Sequence, residues 1–366
     1  MKYLKSCKIT TQTKLLMSRV LVTGGAGFIG THTCLSLIEK GYDLCVVDSF
    51  VNSSQKSLDN VLKILKKDNK NIFKNLEIFK GDIRDKIFLN KVFKSSIIKK
   101  KPIKNVIHFA GLKSVEESII NPSLYWDCNF VGSLNFIKAM LENNCYTIVF
   151  SSSATIYGLS NKNPINENGI ICPINPYGRT KNSIEVLLGD IFNSNKDKLR
   201  VANLRYFNPI GAHPSGLIGE DPRGKPNNIF PLITKVAVGK IDKINVYGSD
   251  WGTKDGTGIR DYIHVMDIAE GHIKSLDFLC NNEPQLIKLN LGTGIGTSVL
   301  ELINTFQKVN KVVIPYKMGE RREGDVGEIV ADNSKAKNLI NWEPKKNLED
   351  MCRDGYNWQF KNPNGF

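Results

Sequence analysis

Tyr177 and Lys181 stand four residues apart in the run Pro176-Tyr177-Gly178-Arg179-Thr180-Lys181, which puts both on one face of a helix, one turn apart. A tyrosine hydroxyl ordinarily keeps its proton until about pH 10. A neighbouring ammonium favours the phenolate and brings it towards general-base work near neutrality. Ser151, Ser152 and Ser153 close an apolar run earlier in the chain. A hydroxyl there can donate to, or accept from, a sugar hydroxyl or carbonyl, although capping and turn formation are the ordinary uses of clustered serines. Ser153, Tyr177 and Lys181 together predict a site for linked hydride and proton transfer. In that scheme Tyr177 removes a hydroxyl proton as hydride leaves the same carbon. Ser153 polarises the oxygen and Lys181 lowers the tyrosine pKa. A surface Tyr-Lys pair is common, so the prediction needs a hydride acceptor.

The start of the chain supplies one. Arg19-Val-Leu-Val-Thr23 reads as a buried strand, followed by Gly24, Gly27 and Gly30 and an amphipathic stretch from Phe28 to Lys40. Such glycines make a tight turn, let backbone approach a pyrophosphate and bring helix against strand. The helix N-terminus, with Phe28 and Ile29 at its start, then faces the phosphates. The spacing is G-x-x-G-x-x-G, so the general dinucleotide fingerprint is met in part. A second strand, Asp43-Leu-Cys-Val-Val-Asp48, ends in a carboxylate eighteen residues after Gly30. An acid there accepts from a ribose 2′-hydroxyl and repels a 2′-phosphate, which favours NAD over NADP. Lys181 is then expected to hold the nicotinamide ribose as well.

The elements that must position these groups alternate. Strands are expected at Arg19–Thr23, Asp43–Asp48, Leu76–Lys80, Asn105–Ala110, Tyr146–Ser151 and Arg200–Tyr206, with helices at 84–101, 122–144 and 177–193. This predicts an α/β fold, a Rossmann-type doubly wound parallel sheet. Ligands of such sheets bind beyond the carboxyl ends of the strands. Pro, Gly and Asn cluster after residue 207, which predicts a smaller α/β substrate-binding lobe. The expected division is a disordered extension at 1–17, an NAD-binding domain at 18–207 and the smaller lobe at 208–366, with room for the chain to cross back.

The chain has 366 residues and a formal charge of +14, and its basic excess is forty Lys to ten Arg in dispersed short runs. Dispersed lysine reads as a solvated surface able to gather an anionic substrate, and no nucleic-acid partner is expected. Eight cysteines, at 7, 34, 45, 128, 145, 172, 280 and 352, show neither paired nor metal spacing. That fits a reducing compartment, and a cytoplasmic location is expected. No metal is expected, and no run is long enough to span a bilayer, so no membrane partner is expected. Residues 1–16 lack the apolar region of a secretory signal.

Segments along nearly the whole chain closely resemble the UDP-glucose 4-epimerase (UDP-galactose 4-epimerase) family of extended short-chain dehydrogenase/reductases. They include Val22-Thr-Gly-Gly-Ala-Gly-Phe-Ile-Gly30, His108-Phe-Ala-Gly-Leu-Lys113, Ser151-Ser-Ser-Ala-Thr-Ile-Tyr-Gly158 and Pro176-Tyr-Gly-Arg-Thr-Lys181. Further on come Leu204-Arg-Tyr-Phe-Asn-Pro, Asp255-Gly-Thr-Gly-Ile-Arg260 and Arg321-Arg-Glu-Gly-Asp325. The resemblance implies reversible inversion at sugar C4 between UDP-glucose and UDP-galactose, through a 4-keto sugar and a retained NAD, as in galactose metabolism. It implies a homodimer, and that the smaller lobe at 208–366 binds the nucleotide sugar. By matching positions it implies cofactor contacts from Asp48, Asn52, Ser53, Asp82, Ile83, Phe109, Ala110, Gly111, Lys113, Asn129 and Phe207. Ser49 stands where the family usually carries Asn. For the nucleotide sugar it implies Lys113, Ser153, Tyr177, Asn208, Asn228, Ile229, Val246, Tyr247, Arg260, Arg322, Asp325 and Ile329. Arg260 and Arg322 suit a diphosphate because guanidinium pairs with phosphate oxygens bidentately.

Ile329 falls where family members restricted to unacetylated sugars carry Tyr, and those that accept N-acetyl sugars carry a small residue. Ile is smaller than Tyr but stiff at its β-branch, so the expected N-acetyl activity is weak or absent. A sugar-nucleotide 4,6-dehydratase would share the fold and the Tyr-Lys pair. It needs an Asp-Glu acid/base pair where this chain has Ala154 and Thr155. The histidines at 108, 213, 264 and 272, and Tyr157, read as structural.

Overall fold

Strands made of consecutive apolar residues are stable only when both faces of their sheet are covered. In the computed structural model, which describes residues 19–67, 76–158, 162–224, 226, 228–322 and 325–366, such strands form the centre of the molecule. Expectations for residues 1–17, and for the Glu-Gly pair at 323–324, lie outside the described residues. β1 (Arg19–Thr23), β2 (Asp43–Asp48), β3 (Leu76–Lys80), β4 (Ile103–His108), β5 (Thr147–Ser153) and β6 (Arg200–Tyr206) lie in one parallel sheet. The short strands β7 (Asn208–Ile210), β8 (Ile244–Tyr247), β9 (Ile259–Arg260) and β10 (Tyr262–His264) follow outside it. Next comes β11 (Leu286–Leu291), which rejoins the main sheet beside β6. The seven strands run in the order β11-β6-β5-β4-β1-β2-β3.

One face of the sheet packs on the helices Phe28–Glu39, Gln55–Lys67 and Val265–Asn281 through residues such as Val20, Leu35, Leu58 and Ile273. The other packs on Lys86–Ile98, Gly132–Glu142 and Pro176–Asn193 through Leu21, Phe93, Phe136 and Leu188. A separate core, with Phe230, Ile233, Leu302, Phe306 and Met351, joins the helices Ile229–Ala237, Val299–Asn310 and Leu348–Lys361 beside β8.

Four expected strands coincide with the observed ones, and two are displaced by one or two residues at their ends. β11 was not expected. Its sequence, Leu286-Ile-Lys-Leu-Asn-Leu291, interrupts the apolar pattern with Lys288 and Asn290, which an edge strand tolerates. Its return means that the chain after residue 208 contributes both to the second core and to the central sheet. The expected helix 122–144 is broken into Pro122–Tyr125, a π-helical turn Trp126–Val131 and Gly132–Glu142. That turn carries Asn129 towards the site.

Candidate active site

Asn175 and Pro176 start the helix that carries the central pair. The Asn175 side chain accepts from Gly178 N at 2.8 Å, and Pro176 fills the first turn, where its missing N–H costs nothing. Tyr177 therefore sits in the first turn and Lys181 one turn on, both against the carboxyl end of β5. Ser153 is the last residue of that strand. Its Oγ accepts from Thr155 N at 3.2 Å and from Thr155 Oγ1 at 2.9 Å, and it acts on the Tyr177 hydroxyl. Thr155 entered the sequence analysis only as a residue unable to serve a dehydratase; its bond to Ser153 was signalled only by a hydroxyl two positions on.

Electrostatics here depart from the expectation. Lys181 is buried, and its Nζ donates to Ser151 O at 2.7 Å while lying 5.9 Å from the centre of the Tyr177 ring. Burial disfavours the ammonium and brings Lys181 down to about 8. Burial also raises Tyr177, and the opposing influence is the Ser153 hydroxyl. The expected acidification of Tyr177 by Lys181 is thus corrected. The ammonium is committed to a backbone carbonyl, and desolvation dominates both groups.

The pair faces a cavity of about 490 Å³ at the carboxyl ends of β1, β2, β4 and β5. Its walls include Gly24, Gly27, Phe28, Ile29, Asp48, Ser49, Asn52, Ser53, Asp82, Ile83, Phe109, Ala110, Gly111, Lys113, Ser153, Tyr177, Lys181, Phe207, Asn208 and Asn228. The turn is built for close backbone approach. Gly24 has φ +68°, and a Cβ on it would meet Ala110 N at 2.7 Å. The following helix starts at Gly27 with no side-chain cap, which leaves its first N–H groups to a ligand. Asp48 Oδ2 accepts from Ala26 N at 2.9 Å; its Oδ1 accepts from Phe50 N at 2.9 Å and Ser53 Oγ at 2.8 Å. These features fit a dinucleotide with its pyrophosphate on the glycine turn and a ribose near Asp48.

Other expected residues lie behind or away from these walls. Gly30 packs the helix onto the turn: a Cβ there would meet Gly24 O at 2.3 Å. Asn129 is buried and braces the loop after β4, accepting from Leu112 N at 2.7 Å and donating to Leu112 O at 3.0 Å and Thr180 Oγ1 at 3.2 Å. Val246 is buried in the second core, and Ile229 begins the helix after Asn228. Arg260, Arg322, Asp325 and Tyr247 form a second polar group: Arg260 Nη2 donates to Asp325 Oδ1, and the Arg322 guanidinium stacks 4.0 Å above the Tyr247 ring. Asp261 supports it by accepting from Thr293 N at 2.7 Å, Gly294 N at 2.9 Å and Ala331 N at 3.1 Å. Ile329 packs beside Ala154, Tyr157 and Phe207.

Beneath Ser153 lies a buried ion pair that the sequence reading missed. Arg205 Nη2 and Nε donate to Glu185 at 2.7 and 3.0 Å, and Ser152 Oγ donates to the same carboxylate at 2.5 Å. Arg205 Nη1 also donates to Tyr157 OH, which donates to Asn290 Oδ1 at 2.6 Å. An arginine inside a strand and a glutamate on the buried face of a helix were the available signals. His108 is likewise structural, held by Thr23 and Ser133 and lowered to about 3 by burial and then by Lys181. Among the described residues, no group of three His, Cys, Asp or Glu side chains could hold a metal ion, and no helix is long and apolar enough to cross a membrane.

The sequence model of the family described as GDP-mannose 4,6 dehydratase matches residues 21–355. A UDP-glucose 4-epimerase of Bacillus subtilis is 46% identical over 347 residues, which are 95% of this chain and 98% of that relative. The crystal structure of UDP-glucose 4-epimerase from Bifidobacterium longum in complex with NAD+ and UDP superposes with a TM-score of 0.88 at 43% identity, covering 95% of this chain and 100% of that one. The epimerase of Stenotrophomonas maltophila with bound NAD and formylated UDP-arabinopyranose gives 0.87 at 42% identity, covering 94% and 98%.

Proposed function

Because the chain belongs to the UDP-glucose 4-epimerase family of extended short-chain dehydrogenase/reductases, we propose that it interconverts UDP-glucose and UDP-galactose at sugar C4 with a retained NAD. The observation that carries this reading is the meeting of Ser153, Tyr177 and Lys181 at the wall of the dinucleotide-shaped cavity. NAD, when bound, supplies reversible uptake of hydride from C4. Gly24, Gly27 and the helix start would hold its pyrophosphate, Asp48 a ribose, and Lys181 the ribose nearer the chemistry.

The chain's own task is proton handling at the C4 oxygen. Tyr177 takes the hydroxyl proton as C4 becomes a ketone, and returns it once the sugar has presented its other face. Ser153 holds the phenol and the sugar oxygen in one hydrogen-bonded group. Burial makes the phenolate costly, and the Ser153 hydroxyl offsets part of that cost. Arg260 and Arg322 would hold the diphosphate, Tyr247 the base and Asp325 the uridine ribose. Ala154 and Thr155 offer no acid/base pair for removing water, which disfavours a 4,6-dehydratase reaction.

A homodimer is part of the proposal. Ile119, Ile120, Val131 and Val186 are exposed on neighbouring helical segments, an apolar face suited to a second copy. The described cysteines are free thiols, which supports a cytoplasmic, reducing location. The test is purified protein with UDP-galactose and no added NAD. Appearance of UDP-glucose supports the reading, and a 4-keto-6-deoxy product or no reaction overturns it. In the same assay UDP-N-acetylgalactosamine should turn over weakly or not at all, because the β-branched Ile329 lies packed in its cluster; robust turnover would refute that preference.

A further inference from the structure

The segment from Leu217 to Gly224 runs along the cavity. Gly219, Glu220, Asp221 and Pro222 form part of one wall, across from Val51, Asn52 and Ser53. The end of the chain also holds this strap. Trp358 Nε1 donates to Glu220 O at 3.2 Å, and Phe366 N donates to Asp221 Oδ2 at 2.9 Å. Ties of a different kind run to other elements. Arg223 Nη1 donates to Val51 O at 3.1 Å, and its Nη2 donates to Ser53 O at 2.5 Å. Asn60 Nδ2 donates to Leu217 O at 2.9 Å, and Lys113 Nζ pairs with Glu220 Oε1 at 2.6 Å.

Arg223 is the side chain whose fork spans two carbonyls of the loop after β2, a use of its planar geometry that a lysine does not reproduce. That loop also carries Ser53, whose hydroxyl donates to Asp48 at 2.8 Å. The arginine therefore grips the same backbone that positions the ribose-binding carboxylate. A dinucleotide lying between the glycine turn and Tyr177 would have the strap alongside it, and leaving would require the strap to lift.

We propose that Arg223 is a latch: it ties the 217–224 strap to the loop after β2 and slows release of the bound dinucleotide. Its role is positioning, since it acts through the strap and not on the reacting atoms. The inference rests on the NAD reading above. Arg223 is exposed, so water competes for its hydrogen bonds and the effect is a modest kinetic one.

The test measures escape of dinucleotide from purified holoprotein. A coupled dehydrogenase in solution reduces only NAD that has left the protein, so the readout does not depend on epimerisation. Arg223→Ala should release NAD more than about threefold faster than wild type, the order expected for losing two partly solvated hydrogen bonds from a charged donor. The unfolding midpoint of the nucleotide-free protein should stay the same. Asn60→Ala, which cuts an independent tie, should change release in the same direction and serves alone if Arg223→Ala does not fold. Release within threefold of wild type in the folded variants would overturn the latch, as would a rise matched by loss of nucleotide-free stability. A wild-type protein that carries no dinucleotide would sink the cofactor assignment and the latch together, whereas equal retention sinks only the latch.

Discussion

Lys181→Met removes a cation that the fold holds at a cost. Burial brings Lys181 from 10.5 down to about 8. The folded-state pKa lies below the unfolded one, so below pH 8 the unfolded chain binds this proton more tightly and the fold carries the full penalty. Between pH 8 and 10.5 the unfolded chain loses its advantage and the penalty fades. The interval from 10.5 to about 8 amounts to about 3 kcal/mol at pH 7, at about 1.4 kcal/mol per tenfold. By pH 10 less than about 1 kcal/mol remains, so about 2.5 kcal/mol is recovered in between. Loss of the bond to Ser151 O and of side-chain packing also affects the variant, but neither titrates in this window. The pH dependence of the difference is therefore the cleaner observable. Urea unfolding of wild type and Lys181→Met at pH 7 and pH 10 should show wild type gaining about 2.5 kcal/mol on the variant as pH rises. A difference constant to within about 0.5 kcal/mol would refute the buried, depressed ammonium. The variant should also lose nearly all turnover, so a residue that costs stability at pH 7 is retained for chemistry.

Tyr177→Phe keeps the ring and removes the proton carrier. Turnover should fall by about 10²–10⁴-fold, the usual contribution of general acid–base catalysis, while NAD remains with the protein on gel filtration; a loss under tenfold would refute its role. Glu185→Gln leaves the Arg205 guanidinium buried without a counter-charge, so the fold should lose about 3 kcal/mol or more in urea titration. A loss below about 1 kcal/mol would show that the Tyr157 hydroxyl and the Glu167 carbonyl suffice to hold Arg205.

The expected pieces were those encoded within a few residues of one another. Gly24 needs a left-handed backbone beside Ala110, Asn175-Pro176 starts a helix, and Tyr177 and Lys181 share a face because helices repeat every 3.6 residues. Apolar runs located β1, β2, β3 and β6 to the residue. Readings that depended on distant parts of the chain fared differently. Asn129 was expected at the cofactor on resemblance alone; that it also braces the loop after β4 comes from the π-helical turn. Resemblance grouped Arg260, Arg322 and Asp325 as contacts to the nucleotide sugar; their present partners, Asp325 for Arg260 and Tyr247 for Arg322, come only from the folded arrangement.

By itself the sequence determined the dinucleotide turn, the alternating strands and helices, and the types of group that meet at the site. Those follow from backbone sterics and local periodicity, which act over a few residues. Tertiary structure decided that β11 returns to the sheet, that Arg205 and Glu185 pair beneath Ser153, and that the 217–224 strap runs along the cavity. It also decided the sign of the Tyr177 shift, because desolvation depends on which distant residues exclude water from the phenol, and no spacing along the chain records that.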